Sequence, residues 1–234
     1  MCMKNVLIIG GNCDIGKYLT NYFLNNNYNV FVGYHDKIDE CNNKVKYIMC
    51  DVTDIDSIDN IINTIINEYG NIDIMINLSC ICMDNSFLNK TKDELMKELE
   101  VNLVGSFLCN QIYSRYIDNG IIINMGSTDG IDTYSEYSIG YSISKAGIIN
   151  MTKGISLSTK NKILCICPNW IDTSSTRSMY KEFLDSELVR IGQDRLITLD
   201  EFIDGFDKII NSEFNSGDIF RIDVKEDKLW VERM

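Results

Sequence analysis

The sequence has a single proline, Pro168, and a single histidine, His35. So little proline excludes a proline-rich linker or a collagen-like chain. The scarcity of histidine, together with cysteines that lack CxxC spacing, argues against a metal centre, because zinc sites are built largely from such ligands. We therefore expect no metal ion in the functional site.

Positive charge is also scarce. The 22 lysine and arginine residues stand against 34 aspartate and glutamate residues, which gives a net charge of −12. Binding to nucleic acid or to an anionic membrane surface needs a basic face that neutralises phosphate. The composition therefore argues against both as main partners.

No long hydrophobic segment opens the chain. The first apolar run, within MCMKNVLIIGG, is too short for a signal peptide or a membrane-spanning helix, and it predicts a β-strand instead. The nine cysteines are odd in number and scattered, and several lie inside apolar runs. Such cysteines are typical of free thiols in a reducing compartment. We therefore expect a cytoplasmic protein.

What the sequence does contain is an alternation of short apolar runs and longer amphipathic segments. The runs are rich in isoleucine and valine without polar alternation, which is typical of strands buried on both faces. They cover residues 5–10, 28–34, 44–50, 72–77, 120–126, 162–168 and 218–224. The pattern predicts an α/β fold: one domain over residues 1–234, with a doubly wound parallel sheet of about seven strands and helices on both faces.

The amphipathic segments carry helical signals. Residues 55–69 place isoleucines on one stripe at helical period. Capping boxes at Thr91–Glu94 and Thr198–Glu201 predict two helix starts, the first opening a long helix toward Arg115. A further helix is predicted over residues 141–158. Ligands of doubly wound sheets bind at the C-terminal ends of the strands, so functional residues are expected just after the apolar runs.

Residues 8–16, IIGGNCDIG, place glycines between the first strand and the helix that follows. Glycines there let the backbone approach a phosphate, and the helix N-terminus supplies free N–H groups. The spacing is not GxGxxG, so a turn without a ligand is an alternative. A P-loop is another, since Gly11, Gly16 and Lys17 fit GxxxxGK. Tyr18 opposes it, because a serine or threonine should follow the lysine to hold Mg²⁺.

The strongest chemical signal is YSISKAG over residues 141–147. Tyr141 and Lys145 are four residues apart, so on a helix they share one face, about 5–6 Å apart at Cβ. A phenol is a poor acid at neutral pH because its usual pKa is about 10. An ammonium ion nearby favours the phenolate by roughly 3 kcal/mol, which would lower the pKa of the phenol enough for proton donation to a carbonyl. An exposed helix face without chemistry is the alternative.

Two upstream residues are candidates for the same site. Ser127 follows a predicted strand in a Gly-Ser turn, where its hydroxyl could hydrogen-bond a substrate carbonyl, although most turn serines have no such role. Asn102 interrupts an apolar helical stretch. A buried asparagine needs hydrogen-bond partners, so it serves either as structural support or in a proton relay.

Together these residues resemble the short-chain dehydrogenase/reductase family, and in particular its 3-oxoacyl-[acyl-carrier-protein] reductase branch. Asn102, Ser127, Tyr141 and Lys145 fall where the Asn–Ser–Tyr–Lys tetrad of that family lies. Other stretches are similar to its further motifs: Gly10–Gly16 to TGxxxGIG, Asp51 to the aspartate that contacts adenine, Asn77-Leu78-Ser79 to NNAG, Pro168–Thr173 to PGxxxT, and Arg195-Leu196 and residues 216–223 to the C-terminal motifs.

The resemblance implies a Rossmann fold with a cofactor half over about residues 1–125 and a catalytic half over about 126–234. It implies an oxidoreductase that transfers a hydride between NAD(P) and a carbonyl or alcohol substrate, either a 3-oxoacyl compound or another small ketone. Tyr141 would exchange a proton with the substrate oxygen, and Ser127 would orient the carbonyl. Lys145 would lower the pKa of the tyrosine and bind the ribose hydroxyls, and Asn102 would hold a water linked to Lys145.

The resemblance also implies a set of residues that bind the cofactor. They are Gly10, Asn12, Asp14, Ile15, Gly16, Tyr34, His35, Asp51, Val52, Asn77, Leu78, Ser79, Tyr141, Lys145, Pro168, Ile171 and Thr173. Asp14 departs from the family, which has a glycine there, and a carboxylate beside a pyrophosphate is repulsive. We expect Asp14 to point away and to cap the following helix. The altered glycine positions keep a second class of function open, a non-catalytic dinucleotide-binding or regulatory protein, which the intact tetrad opposes.

Cofactor choice is expected at the end of the second strand. An acidic residue at Tyr34 would bind the ribose 2′-hydroxyl of NAD and repel the 2′-phosphate of NADP. Tyr34 is uncharged and His35 and Lys37 follow, so NADP(H) is favoured over NAD(H), with Asp36 as the main counter-argument.

The substrate is expected to contact the stretch after Thr173, through Met179, Tyr180, Phe183 and Leu184, although core packing explains these residues equally well. An acyl-carrier-protein-bound substrate is possible. The net charge argues mildly against it, although Lys153, Lys160 and Lys162 could form a local basic patch. The resemblance further implies a homotetramer or homodimer that packs through the helices at 91–117 and 141–158.

Overall fold

One eight-stranded sheet forms the centre of the protein, in the order β3-β2-β1-β4-β5-β6-β7-β8. The computed structural model describes residues 3–38 and 41–234. The strands are β1 (Asn5–Ile9), β2 (Asn29–Tyr34), β3 (Val45–Met49), β4 (Ile74–Asn77), β5 (Ile121–Met125), β6 (Lys162–Pro168), β7 (Ile219–Lys225) and β8 (Lys228–Arg233). The first seven pair in parallel, and β8 pairs antiparallel with β7.

Helices cover both faces of the sheet. In the described part of the chain they are α1 (Asp14–Asn25), α2 (Ile55–Tyr69), α3 (Lys92–Glu98), α4 (Gly105–Tyr116), α5 (Ile139–Ile155), α6 (Ser174–Arg177), α7 (Lys181–Ile191) and α8 (Leu199–Ile210), with a π-helical segment Leu99–Val104 and a 3₁₀ turn Thr128–Gly130. Side chains of α1 and α8 share one hydrophobic cluster, and those of α2 and α4 share another on the opposite face. The predicted doubly wound α/β architecture is confirmed.

The apolar run that forms β1 lacks polar alternation because both faces of this strand are covered. Val6 and Ile8 join the cluster with α1 and α8, whereas Leu7 and Ile9 join the cluster with α2 and α4. All four side chains are fully buried. A parallel strand between two helical layers has no solvent face, so every position is apolar.

The strand order reverses at β1, which pairs with β2 on one side and with β4 on the other. At such a switch point the loops that follow the two strands diverge to opposite faces of the sheet and leave a crevice at the strands' carboxyl ends. The loops after β1 and β4 therefore define where a ligand can enter.

The sheet has eight strands instead of the predicted seven or so, because the last hairpin was not expected. Glu226 and Asp227 form the two-residue turn between β7 and β8, both with positive φ. Such turns favour asparagine and glycine, so Glu226-Asp227 is not a recognisable turn signal. Leu229 and Val231 of β8 pack against the core.

Both predicted capping boxes are confirmed at Thr91 and Thr198. The long helix toward Arg115 is interrupted by the π-helical turn, which sequence periodicity does not reveal. Helix α5 covers 139–155, not 141–158.

The eight cysteines in the described part of the chain are free thiols. Across the same residues, none of the helices combines the length and apolar character that crossing a membrane requires. Among the described residues, no group of three His, Cys, Asp or Glu side chains is placed to hold a metal ion.

Candidate active site

A cleft of about 1110 Å³ opens at the C-terminal ends of the parallel strands. It runs from the glycine loop after β1 to the first turn of α5. Ligand pockets commonly measure about 300–1,000 Å³, so this volume suits a large ligand such as a dinucleotide together with a small molecule. The predicted site residues that line it are Gly10, Asn12, Asp14, Ile15, Tyr34, His35, Asp51, Val52, Leu78, Ser79, Ser127, Tyr141, Lys145, Pro168, Ile171 and Thr173.

Three predicted site residues do not line the cleft: Gly16, Asn77 and Asn102. A Cβ on Gly16 would clash with the carbonyl oxygen of Gly11, so this glycine lets α1 start close against the loop. The Asn77 side chain donates to the hydroxyl of Ser106 over 2.9 Å and accepts from the backbone N–H of Ser79 over 3.0 Å. Gly16 and Asn77 therefore position the segments that line the cleft without lining it themselves.

The glycine loop lies tightly against the segment that follows β4. Gly10 has a φ of +70°, and a Cβ there would lie 2.7 Å from the backbone nitrogen of Ser79. Both the conformation and the close approach require glycine. The Asn12 side chain donates to the backbone carbonyl of Lys37 over 2.5 Å, which ties the loop to the segment after β2.

The expectation that Asp14 caps α1 is wrong. The N-cap is Cys13, whose Sγ accepts from the N–H of Gly16 over 3.4 Å. Asp14 is the first helical residue, and its Oδ2 accepts from the backbone N–H of Ser174 over 2.5 Å. This hydrogen bond, followed by one to the Ser174 side chain, lowers the pKa of Asp14. The carboxylate therefore stays charged while it joins the glycine loop to α6.

The end of the cleft beside β2 and β3 is acidic. The Nδ1 atom of His35 lies 2.9 Å from Asp36 Oδ1, and its Nε2 atom lies 3.5 Å from Asp51 Oδ2. The backbone N–H and hydroxyl of Thr53 both donate to Asp51 over 2.8 Å and lower the pKa of that carboxyl. Two carboxylates thus flank the imidazole next to Tyr34.

Tyr141 and Lys145 lie at the other end of the cleft on one face of α5. The Lys145 Nζ atom is 5.2 Å from the centroid of the Tyr141 ring. The same ammonium group is only 2% exposed and donates to the carbonyl of Met125, at the end of β5, over 2.8 Å. This anchor fixes the lysine below the phenol and leaves two of its three N–H groups for other partners.

The predicted lowering of the Tyr141 pKa by Lys145 is not what this environment produces. Burial raises the pKa of Tyr141 well above its usual value, and the Cys80 thiol and the Asp129 carboxyl add to the effect. A hydrogen bond with the Ser127 side chain acts in the opposite direction. Because burial disfavours the phenolate, the phenol is protonated at neutral pH.

Ser127 lies where β5 ends and the 3₁₀ turn begins. Its Oγ accepts from the backbone N–H of Asp129 over 3.1 Å, and the side chain is 6% exposed. The Ser127 side chain also lies close enough to Tyr141 to act against the rise in the pKa of the phenol. The serine is therefore held in place by the turn that it opens.

Asn102 is fully buried in the π-helical segment. Its Nδ2 donates to the carbonyl of Ile81 over 2.8 Å and to the hydroxyl of Ser144 over 3.1 Å, and its Oδ1 accepts from the N–H of Ile81 over 2.8 Å. The side chain therefore fixes the segment after β4 to α5. Its backbone carbonyl accepts from the Ser106 hydroxyl over 2.6 Å. The predicted role of Asn102 in holding a water stays a prediction.

The segment after β6 closes the third side of the cleft. Thr173 is the N-cap of α6, and its Oγ1 accepts from the N–H of Thr176 over 3.2 Å. Of the residues expected to contact substrate, Met179 and Phe183 line the cleft. Tyr180 and Leu184 do not line it, and the Tyr180 side chain, directly before α7, is 85% exposed.

Several residues that line the cleft were not among the predicted site residues. They are Cys80, Cys82, Asp129, Ser135, Tyr137, Ser138, Asn169, Trp170, Ser175 and Thr176. Asp129 had a recognisable signal, since it lies two residues after Ser127 in a turn that directly follows a buried strand. Ser135 and Ser138 had none, because an irregular segment folds them back over the cleft.

Comparisons with known proteins agree with this geometry. The chain is 29% identical over 203 residues to the 3-oxoacyl-[acyl-carrier-protein] reductase FabG of Thermotoga maritima, covering 80% of this chain and 82% of that protein. Among solved structures, a short-chain dehydrogenase from Leptospira borgpetersenii with bound NAD⁺ superposes with a TM-score of 0.83 at 25% identity, covering 94% of this chain and 91% of that one. ElxO with NADP bound gives 0.78 at 23% identity, covering 94% and 96%.

The family model described as short chain dehydrogenase matches residues 4–183. That range contains every wall of the cleft, from the loop after β1 through the Tyr141–Lys145 pair to Phe183. Because both the sequence match and the fold extend over this whole range, the chain belongs to the short-chain dehydrogenase family of oxidoreductases.

Proposed function

We propose that this protein transfers a hydride between a nicotinamide cofactor and a carbonyl or alcohol substrate, with Tyr141 exchanging the proton of the substrate oxygen. One observation carries the proposal. Tyr141, Lys145 and Ser127 meet at one end of a continuous cleft whose other end is the glycine loop. Membership of an oxidoreductase family supports it.

The residues of the cleft fit a dinucleotide. Gly10 lets the loop pack directly against Ser79, where a Cβ would clash, and the N-terminus of α1 offers backbone N–H groups that suit a phosphate. The residues that would hold the cofactor are those predicted from the sequence that line the cleft, with Tyr34, His35, Asp51 and Val52 at the nucleoside end and Pro168, Ile171 and Thr173 at the nicotinamide end. When bound, the cofactor supplies or accepts the hydride.

Three side chains divide the proton chemistry. In the reducing direction the carbonyl oxygen takes its proton from the Tyr141 hydroxyl as the carbonyl carbon is reduced. Ser127 lines the same end of the cleft as Tyr141 and would hold the same oxygen. Lys145, anchored by Met125, stabilises the phenolate that forms, and its remaining N–H groups would bind the ribose hydroxyls of the cofactor.

For the substrate we propose a 3-oxoacyl compound or another small ketone, which the similarity to a 3-oxoacyl-[acyl-carrier-protein] reductase supports. A carrier-bound substrate has less support. Lys162 begins β6, at the opposite end of the sheet from the cleft, and Lys160 pairs with Asp118 over 2.6 Å. The lysines that could attract an acidic carrier therefore do not surround the entrance.

NADP(H) stays the predicted cofactor, because no acidic side chain stands at Tyr34. The nearby Asp36 and Asp51 carboxylates oppose a 2′-phosphate, and His35 between them favours it when protonated. Parallel titrations with NADPH and NADH decide the question. Binding of NADH as tight as that of NADPH would remove the preference.

We also propose the homotetramer or homodimer that the family implies. Helices α4 and α5 support it, because they expose the apolar side chains of Phe107 and Ile143 by 43% and 46%. Val104, directly before α4, is 48% exposed. Exposed apolar groups on neighbouring helices are typical of an interface between copies. A cytoplasmic location likewise stays a prediction, supported by the free thiols.

The test mixes the purified protein with NADPH or NADH and a set of small ketones and follows the loss of reduced-cofactor absorbance. Turnover of at least one ketone is the expected result. Tight cofactor binding without turnover of any of them would instead favour the second candidate, a non-catalytic dinucleotide-binding protein.

A further inference from the structure

Asp129 is a buried carboxyl group in the cleft that the proposed hydride transfer does not use. Its side chain is 4% exposed, and it lines the cleft together with Ser127 and Tyr141. Its backbone N–H donates to the Ser127 hydroxyl over 3.1 Å, so Asp129 lies directly beside the serine that the proposed reaction uses. A buried carboxyl group is costly unless it has hydrogen-bond donors around it, so its partners show what it can still bind.

The donors around Asp129 leave it acceptor capacity. The Thr133 hydroxyl donates to Oδ1 over 2.8 Å. The contact from Ser138 to Oδ2 is 3.5 Å, at the limit of a hydrogen bond. Burial raises the pKa of this carboxyl, and a carboxyl group in either protonation state has acceptor capacity beyond these two contacts. A donor on a ligand can therefore join or replace the long Ser138 contact.

The charged residues of the cleft favour the same kind of ligand. Six acidic side chains line it, those of Asp14, Asp36, Asp51, Asp84, Glu100 and Asp129, against two lysines, Lys97 and Lys145. Acidic groups therefore outnumber basic ones in the cleft, even though burial raises the pKa of Asp129. Lys145 is already engaged with the Met125 carbonyl. Such a cleft attracts neutral or cationic ligands that donate hydrogen bonds, and it repels carboxylates.

We propose that the substrate is a small neutral or cationic ketone that carries a hydroxyl or amino group next to its carbonyl, and that Asp129 accepts the hydrogen bond of this group. The inference rests on the proposed hydride transfer and names its substrate class. The carbonyl oxygen faces Tyr141 and Ser127, while the neighbouring donor faces Asp129. The other hydroxyl groups at this end, those of Ser135, Tyr137, Ser138, Ser175 and Thr176, suit a polar substrate.

The test compares four ketones at saturating reduced cofactor. Hydroxyacetone and 2-butanone differ by a hydroxyl in place of a methyl group, pyruvate carries a carboxylate, and ethyl acetoacetate is a neutral 3-oxoacyl ester. A hydrogen bond to a charged acceptor accounts for about a tenfold change in kcat/KM or more. We expect kcat/KM for hydroxyacetone to exceed that for 2-butanone by at least about tenfold, and pyruvate to be the poorest.

Two variants assign the preference to Asp129. In Asp129→Asn the ratio of kcat/KM for hydroxyacetone to that for 2-butanone should fall about tenfold, with cofactor Kd and Tm close to those of the parent. The matched control is Asp185→Asn, which removes the same charge from the exposed side of α7. It should leave the ratio unchanged. The ratio in the parent protein tests the substrate class even if Asp129→Asn does not fold.

The outcomes separate this inference from the proposed function. Turnover of ethyl acetoacetate or 2-butanone as fast as that of hydroxyacetone leaves the hydride transfer intact and overturns the substrate class. An unchanged ratio in a folded Asp129→Asn protein overturns the role of Asp129. Failure to reduce any of the four ketones with either cofactor, while the cofactor still binds, contradicts both.

Discussion

The Asp14 carboxylate accepts a hydrogen bond from the backbone N–H of Ser174, 160 residues further along the chain. One residue opens α1 in the glycine loop and the other opens α6 after β6, so the contact joins two walls of the cleft. The charge of Asp14 is stabilised by this N–H and by the nearby Lys17 and Arg177. The carboxylate thus occupies a place in the glycine loop where a bound pyrophosphate would bring further negative charge.

Asp14→Asn tests that repulsion. The amide keeps a hydrogen-bond acceptor for Ser174 and removes the charge. We expect the Kd of NADPH to fall by about threefold to tenfold at low ionic strength, since a unit charge near a phosphate at the protein surface contributes about 1 kcal/mol. Added salt should shrink the difference between variant and parent, because exposed charges are screened. A fluorescence titration at two salt concentrations measures both.

Asp185→Asn again serves as the control, because it makes the same charge change outside the cleft. If NADPH binds more tightly to both variants by the same factor, the effect comes from net charge alone. Weaker NADPH binding by Asp14→Asn would show that the link to Ser174 matters more than the repulsion.

Tyr141→Phe removes the proposed proton donor and leaves the ring in place. We expect turnover to fall by about 10²–10⁴ or more, the range for loss of a general acid, with cofactor Kd nearly unchanged. Tyr180→Phe, at an exposed phenol outside the cleft, is the matched control. Normal turnover in Tyr141→Phe would refute the assignment.

The pH dependence of reduction follows from the burial of Tyr141. Burial raises the pKa of the phenol above its usual value of about 10, so the proton-donating form persists as the pH rises. We therefore expect kcat/KM for ketone reduction to show no loss from this group up to at least about pH 10. Initial rates in overlapping buffers measure the profile. A loss of kcat/KM centred near neutral pH that is absent from Tyr141→Phe would show instead that Lys145 lowers the pKa of the phenol more than burial raises it.

The parts of the fold that follow from local pattern were predictable from the sequence. Strand β1 is apolar at every position because both of its faces are covered, and Thr198 with Glu201 marks the start of α8 through two reciprocal hydrogen bonds. Strand β8 was missed because its turn, Glu226-Asp227, holds positive φ values without asparagine or glycine. A sequence pattern therefore identifies a strand or a helix only when the residues of that element themselves produce its conformation.

The candidate site likewise has features that follow from local sequence and features that depend on the tertiary fold. The spacing of Tyr141 and Lys145 fixes their common face of α5, and the sequence contains that spacing. The pKa of Tyr141 depends on burial by segments far away in the chain, including the thiol of Cys80, so the spacing alone predicted the wrong direction. The partner of Asp14 was hidden for the same reason, because Ser174 reaches it only through the tertiary fold.

Glu201 couples stability to pH. Its pKa is lowered to about 2, first by the Arg195 guanidinium and then by the N–H and hydroxyl of Thr198. A carboxyl with a depressed pKa stabilises the fold above its unfolded value of 4.5 and loses that contribution as the pH falls toward 2. Because the pair is partly exposed, we expect Glu201→Gln to lower the free energy of unfolding at pH 7 by only about 0.5–1 kcal/mol.

The difference between Glu201→Gln and the parent should shrink as the pH falls below 4.5, and urea unfolding at pH 7 and pH 3 measures it. Asp200→Asn, in the same helical turn but without the Arg195 contact, should change stability by only a few tenths of a kcal/mol. A Glu201→Gln deficit that is equally large at both pH values would contradict the linkage.

Two glycines give opposite predictions for the same substitution. Gly16→Ala places a Cβ against the carbonyl oxygen of Gly11, so the glycine loop or α1 must shift. We expect a loss of about 1–3 kcal/mol in the free energy of unfolding, the range for overpacking, and weaker NADPH binding because the loop moves. Gly154→Ala, in the last turn of α5 with nothing within 4 Å of its added Cβ, should instead gain about 0.4–1 kcal/mol.

Urea unfolding and NADPH titration of both variants test these two predictions. Equal stability of the two proteins would show that the loop relaxes around the Cβ without cost, and unchanged NADPH affinity in Gly16→Ala would place the phosphates away from this loop.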